Sequence, residues 1–311
     1  MSVKITTPEF INGFLKTAAG YDSKEGNPRT KAVIHRLLTD ICKTIDDLDV
    51  TPSEFWVAVN YLIRLGQAHE PALLAAGLGL ERILDMRQDM LDEAAGLLDK
   101  NATPRIIEGP LYVAGAPVCK GEARMDDGKD TKAPALYLHG QVTDVAGNPI
   151  PHATVEVWHA NGLGNYSYFD KTQSDFNLRR TIQADAHGRY IARSIVPSGY
   201  GCPPTGPTQE LLNAIGRHGN RPAHIHFFVY APKHAHLTTQ INLDGDPYLH
   251  DDFAYATRDE LIAYPKHVTD TAEIADKKMD RAFYEVEYNF VLAPAKIETQ
   301  HDKIARKRAA V

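Results

Sequence analysis

Around residue 225 the chain reads Arg221-Pro-Ala-His-Ile-His226 and continues as Phe227-Phe-Val-Tyr230. The second half is rich in β-branched and aromatic residues, which predicts a buried or half-buried strand over 224–230. Because side chains on a strand alternate between its two faces, His224 and His226 project the same way, about 7 Å apart along the strand. Two imidazoles in this relation can hold one metal ion. An ordinary pair of strand histidines gives the same pattern, so the interpretation depends on finding further ligands.

The composition is that of an ordinary globular protein. The 311 residues can bury one sizeable core together with a smaller lobe. A net charge of −6 gives the whole molecule no tendency to bind nucleic acid or an anionic membrane. The basic cluster at 303–308 is more simply interpreted as a frayed, solvated terminus than as a nucleic-acid contact.

Cysteine usage and hydropathy predict a cytoplasmic protein. Cys42, Cys119 and Cys202 are widely spaced and odd in number, which favours reduced thiols over a disulfide framework. The first residues carry no apolar signal segment. The longest nearly apolar run, 71–80, is too short to span a bilayer. We therefore expect no membrane segment.

Residues 1–100 carry helical patterns. Thr51-Pro-Ser-Glu54 is a capping box with proline in the first helical position, and it predicts that a helix begins there. Apolar residues recur at helical spacing over 31–48, a further helix is predicted from about 80 to 98, and a short one near 10–15. Apolar stripes on several helices indicate packing against a body or a partner. We predict a helical N-terminal domain over 1–100.

The pattern changes near Asn101. From there prolines and glycines separate short alternating runs, which is typical of an all-β sandwich. Strands are predicted at 136–143, 153–158, 190–196, 224–230, 237–243 and 283–292. The loops between them are unusually long, and long loops in a compact β-domain commonly build a site. The predicted fold class is mainly β with a helical N-terminal region, in which 101–311 form a β-sandwich catalytic domain with a C-terminal tail.

Two tyrosines stand beside glycine in these loops. Gly164-Asn-Tyr166 follows one predicted strand, and Gly199-Tyr200-Gly-Cys-Pro-Pro204 follows another. Glycine permits tight turns that can aim an aromatic ring inward. Taken alone, either tyrosine is better explained as a packed or surface ring.

Three separated blocks of the chain carry one pattern. The first runs from Gly140-Gln-Val-Thr-Asp144 through Ala153-Thr-Val-Glu-Val-Trp-His-Ala160 to Gly164-Asn-Tyr166, and the others are 199–204 and 221–226. Together they resemble the signature of the intradiol ring-cleaving dioxygenase family, in particular the branch that cleaves catechol. The resemblance extends to 103–112, 238–240 and 251–254, and with the helical region it covers nearly the whole chain.

The resemblance implies a metal centre. In that family two tyrosines and two histidines hold a non-haem ferric ion, and these roles fall here on Tyr166, Tyr200, His224 and His226. Phenolate is a hard anionic donor that suits Fe(III), and a bound cation lowers the pKa of a tyrosine well below its free value of about 10. The resemblance further implies one Fe(III) per subunit, catechol and dioxygen as substrates, and cis,cis-muconate as the product within the β-ketoadipate pathway.

The resemblance also assigns roles around the metal. Arg221 would stabilise negative charge on the substrate, and Tyr200 would leave the metal and accept a substrate proton. Gln240 would line the oxygen or substrate pocket. A structural salt bridge explains Arg221 as well, and a bond to a buried backbone group explains Gln240. The residues implied as pocket walls, equally well explained as core, are Leu73, Ile107, Pro110, Phe253 and Ala254.

Other hypotheses fit parts of the sequence. A non-catalytic transthyretin-like β-sandwich module would carry the motif at 140–157 without the two tyrosines and two histidines. A metal-dependent hydrolase would combine the histidine pair with a carboxylate and zinc. Within the family, the substrate could be hydroxyquinol or a chlorocatechol. The resemblance also implies a homodimer through the N-terminal helices, and the amphipathic helices permit a phospholipid in an apolar tunnel between them.

Overall fold

The computed structural model describes residues 9–295 and 308–310. By contacts between Cα atoms, the chain divides into two compact units, Met1–Ala68 and His69–Val311. Five helices precede the first strand: α1 (Glu9–Ala18), α2 (Pro28–Leu48), α3 (Pro52–Gln67), α4 (Pro71–Gly77) and α5 (Leu80–Ala94). The helical N-terminal region is thereby confirmed. The division into domains near residue 100, which lies between α5 and the first strand, stays a prediction.

The helices of the first unit begin where side chains satisfy their free amides. The Asn27 side chain accepts a hydrogen bond from the Thr30 amide at 3.0 Å at the start of α2. At α3, the Glu54 carboxylate accepts from the Thr51 amide at 2.8 Å, and the Thr51 hydroxyl accepts from the Glu54 amide at 3.3 Å. The predicted capping box is confirmed. Its proline stands in the first turn of α3.

Helices α2 and α3 carry many large apolar side chains that are exposed. Leu48 is 71% exposed and Trp56 is 60% exposed. We call this set the apolar helix surface; its members are Val33, Ile34, Leu37, Ile41, Leu48, Phe55, Trp56, Val57, Leu62 and Ile63. An exposed apolar set of this size usually marks an interaction site.

The second unit is built on strands. Their bounds are β1 (Val113–Ala114), β2 (Val118–Lys120), β3 (Glu122–Arg124), β4 (Ala135–Asp144), β5 (Thr154–His159), β6 (Arg179–Gln183), β7 (Arg189–Ile195), β8 (Tyr200–Gly201), β9 (Asn220–Arg221), β10 (His224–Tyr230), β11 (Leu237–Leu243), β12 (Ile262–Ala263), β13 (Lys266–Val268), β14 (Phe283–Glu287), β15 (Phe290–Leu292) and β16 (Ala309–Ala310). Two further helices lie between them, α6 (Pro207–Ala214) and α7 (Thr271–Asp276), with a 3₁₀ turn at Asp259–Leu261.

The strands form two main sheets with a common apolar core. The first sheet has the order β12-β11-β10-β5-β6-β2, and the second has the order β13-β14-β4-β7-β3, with β15 also paired to β4. Val157 and Phe227 of the first sheet share one buried cluster with Leu138 and Tyr190 of the second. This arrangement confirms the mainly β fold that the sequence predicts.

Strand β10 is buried on both faces. It lies between β5 and β11, antiparallel to each. Ile225, Phe227 and Val229 point into the core between the sheets. By strand alternation, His224 and His226 point to the opposite face, where both are also buried. The observed bounds of β10 match the predicted 224–230.

The predicted strand at 283–292 is wrong in one respect, because it is two strands, β14 and β15. At the break the Tyr288 carbonyl accepts a hydrogen bond from the Tyr190 hydroxyl at 2.7 Å. The Asn289 side chain accepts from the Gln141 amide at 2.8 Å. These hydrogen bonds satisfy polar groups at the break, where the regular strand pairing is interrupted. The chain can therefore end its pairing with β4 at β14 and pair with β4 again at β15.

The frayed terminus predicted at 303–308 is wrong for Arg308. Residues 303–307 lie outside the described part of the chain. The Arg308 guanidinium donates two hydrogen bonds to the Glu108 carboxylate, at 3.0 and 2.8 Å, and Ala309 and Ala310 pair with β1. A two-pronged charged contact and a short ladder hold this residue in place.

In the described residues, Cys42, Cys119 and Cys202 are free thiols. None of the helices there combines the length and the apolar character needed to cross a membrane.

Candidate metal centre

The structure brings Tyr166, Tyr200, His224 and His226 together. Tyr166 lies in the loop after β5, Tyr200 begins β8, and both histidines lie on β10. The Tyr166 hydroxyl is 3.4 Å from Nε2 of His224, and Nε2 of His224 is 3.0 Å from Nε2 of His226. The rings of Tyr166 and Tyr200 meet edge to face with centroids 5.4 Å apart. Two phenols and two imidazoles therefore share one small volume.

A glycine allows the two tyrosine loops to meet. Gly164 has φ +81°, and a Cβ there would lie 2.8 Å from Cβ of Tyr200 and 2.9 Å from the Gly199 carbonyl oxygen. Both the positive φ and the close approach require glycine. Tyr200 is also held from the other side, because β8 pairs with β9 so that Tyr200 faces Arg221.

Both histidines are neutral in this environment. Nδ1 of His224 donates to the Pro222 carbonyl at 2.6 Å, so the lone pair lies on Nε2, which accepts from Arg221 at 3.0 Å. Burial, and then the charge of Arg221, lower the pKa of His224 to about 3. Burial and the neighbouring His224 lower the pKa of His226 well below its usual value. Neutral imidazole is the form that binds metal ions.

Burial raises the pKa of both tyrosines, well above the usual value for Tyr166. The charge of Arg221 opposes this effect at Tyr200. A compact cation would favour the ionised phenols that burial disfavours. Two hard oxygen donors with two imidazoles suit a ferric ion, so the residues present fit the group that the resemblance implies.

A zinc hydrolase fits the structure less well. Within residues 9–295 and 308–310, no group of three or more His, Cys, Asp or Glu side chains is placed to hold a metal ion. Such groups are the usual ligands of zinc. The histidine pair on β10 therefore lacks the carboxylate ligand that this hypothesis needs.

Arg221 is at once part of a salt bridge and part of the site. It is 3% exposed, and its Nε and Nη2 donate to the two carboxylate oxygens of Asp252 at 3.1 and 3.0 Å. Burial alone would lower the pKa of Arg221, but the charge and hydrogen bonds of Asp252, together with the two site tyrosines, outweigh burial and raise the pKa. Arg221 is therefore a fixed cation beside His224.

Gln240 is tied to the same arginine. Its Oε1 accepts from Nη2 of Arg221 at 2.9 Å, and its Nε2 donates to Oδ1 of Asn242 at 3.1 Å. A weaker contact of 3.4 Å joins Nε2 to the Ala256 carbonyl. Gln240 thus contacts Arg221 and a buried backbone group, and its place in the oxygen or substrate pocket stays a prediction.

Four of the five residues implied as pocket walls lie in one apolar cluster. Ile107, Phe253 and Ala254 are buried there, and Leu73 packs against them. Pro110 is partly buried outside this cluster. Their contact with substrate stays a prediction.

A cavity of about 480 Å³ opens at the site, and its lining shares no residue with the apolar cluster of the implied pocket walls. Its lining includes Leu163, Tyr200, Arg221, Asp246 and Tyr248. Tyr200 and Arg221 line this cavity, whereas Tyr166 does not.

Sequence reasoning missed a second buried arginine, Arg179 on β6. It is 1% exposed, and Nε and Nη2 donate to the side chain and carbonyl of Ser167 at 2.9 and 3.0 Å. Its Cζ lies 5.7 Å from the Tyr166 ring centroid, and burial lowers its pKa to about 10. In the described part of the chain no carboxylate forms an ion pair with it. Nothing local in the sequence distinguishes it from Arg180.

Sequence reasoning also missed Trp158, whose indole stacks on the His226 ring. The two planes are 5° from parallel and their centroids are 5.0 Å apart. The residue belongs to a quoted motif, yet β-strand alternation alone does not say what its ring touches.

Comparison with known proteins identifies the family. A family model described as "Dioxygenase" matches residues 107–294, and one described as "Catechol dioxygenase N terminus" matches 27–96. A catechol 1,2-dioxygenase of Acinetobacter baylyi is 50% identical over 100% of both chains. The one of a Pseudomonas sp. strain is 53% identical, covering 94% of this chain and 97% of the relative. The crystal structure of catechol 1,2-dioxygenase from Pseudomonas arvilla C-1 has a TM-score of 0.93 at 55% identity, with 99% of each chain covered. This chain belongs to the intradiol dioxygenase family.

Proposed function

We propose that this protein uses dioxygen to cleave catechol between its two hydroxylated carbons, giving cis,cis-muconate. The proposed centre is one Fe(III) per subunit held by Tyr166, Tyr200, His224 and His226. The observation that carries the proposal is the convergence of these four side chains in a chain whose full-length relatives are catechol 1,2-dioxygenases. When bound, the ferric ion would supply Lewis-acid activation of the catechol.

The protein's own groups divide the remaining work. The two phenols must release their protons when the metal binds, so metal affinity rises with pH. Tyr200 lines the cavity, and its phenolate oxygen, once ionised, can take a proton from an entering catechol and become the neutral phenol. Tyr166 is buried, and its phenolate would remain a metal ligand when Tyr200 leaves. Arg221, fixed by Asp252, stabilises negative charge on the substrate.

Two alternatives within the family remain as hypotheses, namely hydroxyquinol and chlorocatechol as preferred substrates. The identity of about one half to catechol 1,2-dioxygenases supports plain catechol. The kcat/KM ratio for catechol, hydroxyquinol and 4-chlorocatechol, measured on the same preparation, separates the three. A preference for either of the latter two would overturn this assignment.

Assembly and location belong to the same proposal. We propose a homodimer through the N-terminal helices, supported by the exposed apolar helix surface. A phospholipid between the helices and a place in the β-ketoadipate pathway follow from the resemblance. The free thiols support a cytoplasmic location. Light scattering and mass spectrometry of extracted lipid test the dimer and the lipid.

The decisive experiment is a visible absorption spectrum after aerobic loading with ferric iron, before and after anaerobic addition of catechol. We expect a tyrosinate-to-iron charge-transfer band that shifts with catechol and is changed in Tyr166→Phe. Admission of oxygen should then produce muconate. A colourless loaded protein that forms no muconate would overturn the proposal.

A further inference from the structure

The two site histidines are held in different ways. Nδ1 of His224 donates to the Pro222 carbonyl, whereas Nδ1 of His226 is buried and has no hydrogen-bond partner among the described residues. Histidines that bind metals usually donate their second nitrogen to an acceptor, which fixes the ring. The orientation of the His226 ring must therefore come from packing.

Besides the His224 ring, whose centroid is 4.6 Å away, two groups lie beside the His226 ring. The Trp158 indole stacks on it nearly in parallel, at 5.0 Å between centroids. The segment 107–112, which we call the strap, passes close by at Gly109. A Cβ built on Gly109, whose φ is +70°, would lie 3.6 Å from Cε1 of His226. The Trp158 ring and the strap together hold His226.

An aromatic cluster connects Trp158 to the strap. The Tyr112 ring lies 5.0 Å from Trp158 and 4.7 Å from Phe228, and Phe228 lies 4.8 Å from Trp158. The Tyr112 hydroxyl donates to the Glu156 carboxylate at 2.5 Å. A shift of Tyr112 would therefore move both the strap and the ring that stacks on His226.

The C-terminal residues close over this cluster. The Arg308 guanidinium lies 4.9 Å from the Phe228 ring centroid and 5.2 Å from that of Tyr112. It also forms the two-pronged ion pair with Glu108, the residue before Gly109. Beyond it, β16 pairs in parallel with β1, which directly follows the strap. Residues 308–310 thus fasten the strap at both of its ends.

We propose that Arg308 is a positioning residue for His226, acting through Glu108 and the strap and through the Tyr112–Phe228–Trp158 cluster. The effect of Arg308 on catalysis rests on the proposed function. The C-terminal residues then contribute to the metal centre without touching the metal or the substrate.

The test compares Arg308→Ala and Arg308→Lys with the parent, both iron-loaded and verified as folded by circular dichroism. For Arg308→Ala we expect kcat/KM to fall about five- to tenfold, because a charged bidentate contact and two cation–π contacts are lost. The fall should appear in kcat more than in KM. The charge-transfer band should broaden or shift, and iron should pass to a chelator faster. Lysine keeps the charge but not the two-pronged bond, so Arg308→Lys should be intermediate.

A matched control removes another two-pronged arginine pair. Arg124 binds Asp126 at 3.3 and 3.1 Å with a 64% exposed side chain, so Arg124→Ala should leave spectrum and turnover unchanged. Glu108→Gln should reproduce most of the effect of Arg308→Ala. The variant that carries both substitutions should lose little more activity than Arg308→Ala alone. If Arg308→Ala does not fold, Arg308→Lys and Glu108→Gln carry the test. A parent-like band, iron release and kcat/KM in the folded variants would overturn the proposal.

A measurement on the metal-free protein separates this proposal from the proposed function. Hydrogen exchange of the strap amides, 107–112, should be faster in Arg308→Ala than in the parent and unchanged in Arg124→Ala. If the parent neither takes up iron nor cleaves catechol, but exchange is faster in Arg308→Ala, the proposed function fails and the effect of Arg308 on the strap is supported. If the parent is active and exchange in Arg308→Ala is unchanged, the proposed function stands and the positioning role of Arg308 is overturned.

Discussion

Helices α2 and α3 and the β-sandwich depart from the usual distribution of side chains in opposite directions. The helices expose apolar groups such as Leu48 and Trp56, whereas the sandwich buries charged and polar groups such as Arg221, Asp252 and His224. Each departure costs free energy in the isolated chain. Under the proposed function, each marks a place where something outside the chain completes the structure, a second protein surface in the first case and a metal ion with its substrate in the second. The same rule of burial thus points to two different kinds of function.

The strongest test of this comparison removes one buried polar group from the site. We expect His224→Ala to lower kcat/KM at least about 1000-fold and to abolish the charge-transfer band, because a proposed metal ligand is lost. The control is His234→Ala, which alters the partly exposed first histidine of the second His-x-His pair, at 234–236. Equal losses in both variants would contradict the assignment of the site to β10.

Removing the charge opposite Arg221 should damage stability as well as activity. Asp252→Asn leaves a buried cation uncompensated, so we expect the free energy of unfolding to fall by about 3 to 5 kcal/mol. Urea denaturation measures the change. The exposed pair Arg36–Asp40 supplies the control, since Asp40→Asn should cost less than about 0.5 kcal/mol. If Asp252→Asn lowers the free energy of unfolding as little as Asp40→Asn does, the buried ion pair is not needed for stability.

His159 should make the sandwich sensitive to acid. It is buried, with hydrogen bonds to Ser194 and to the Ala160 carbonyl, and burial lowers its pKa to about 4. The unfolded chain binds this proton at about pH 6.5, so its contribution is fully present above that pH and is lost as pH falls from 6.5 towards 4, by about 3 kcal/mol in total.

Urea midpoints across this pH window test the prediction. His159→Gln should flatten the decline of stability relative to the parent, whereas His187→Gln, at an exposed turn, should not. Parallel declines in the parent and His159→Gln would show that His159 does not drive the acid sensitivity.

The smallest effect on the fold is expected from the helices. Trp56→Glu and Ile63→Glu replace side chains that are 60% and 53% exposed, so the free energy of unfolding of one chain should change by less than about 0.5 kcal/mol. The oligomeric state by light scattering should nevertheless shift towards monomer. Lys24→Glu, in the loop before α2, controls for added negative charge. An unchanged dimer in both helix variants would remove the apolar helix surface as the interface.

Local pattern was enough to predict the strand that carries the histidines. The bounds of β10 follow from its composition, and the capping box of α3 follows from four consecutive residues. The tyrosine and histidine set followed from a resemblance spread over separated blocks, and the structure brings those four side chains together. For β10 and the capping box the information lies within one short segment, whereas the tyrosine and histidine set needs several segments together.

Contacts between distant segments could not be predicted in the same way. Asp252 is 31 residues from Arg221, and Arg308 is 200 residues from Glu108. Arg179 forms no ion pair with a carboxylate among the described residues, a property that no local pattern reports. Such features depend on which loops the fold brings together, and they include several of the groups that hold the site.

The pairing of β4 has a consequence for the order in which the protein is made. Its partner β14 lies about 150 residues further along the chain, with Ala135 opposite Phe283. At the usual rate of synthesis this partner is made roughly 8 to 30 s later. Until then one edge of β4 has no strand to pair with and is open to contacts with other chains. All four proposed iron ligands are made before β14, so the nascent chain carries the complete ligand set before its second sheet can close.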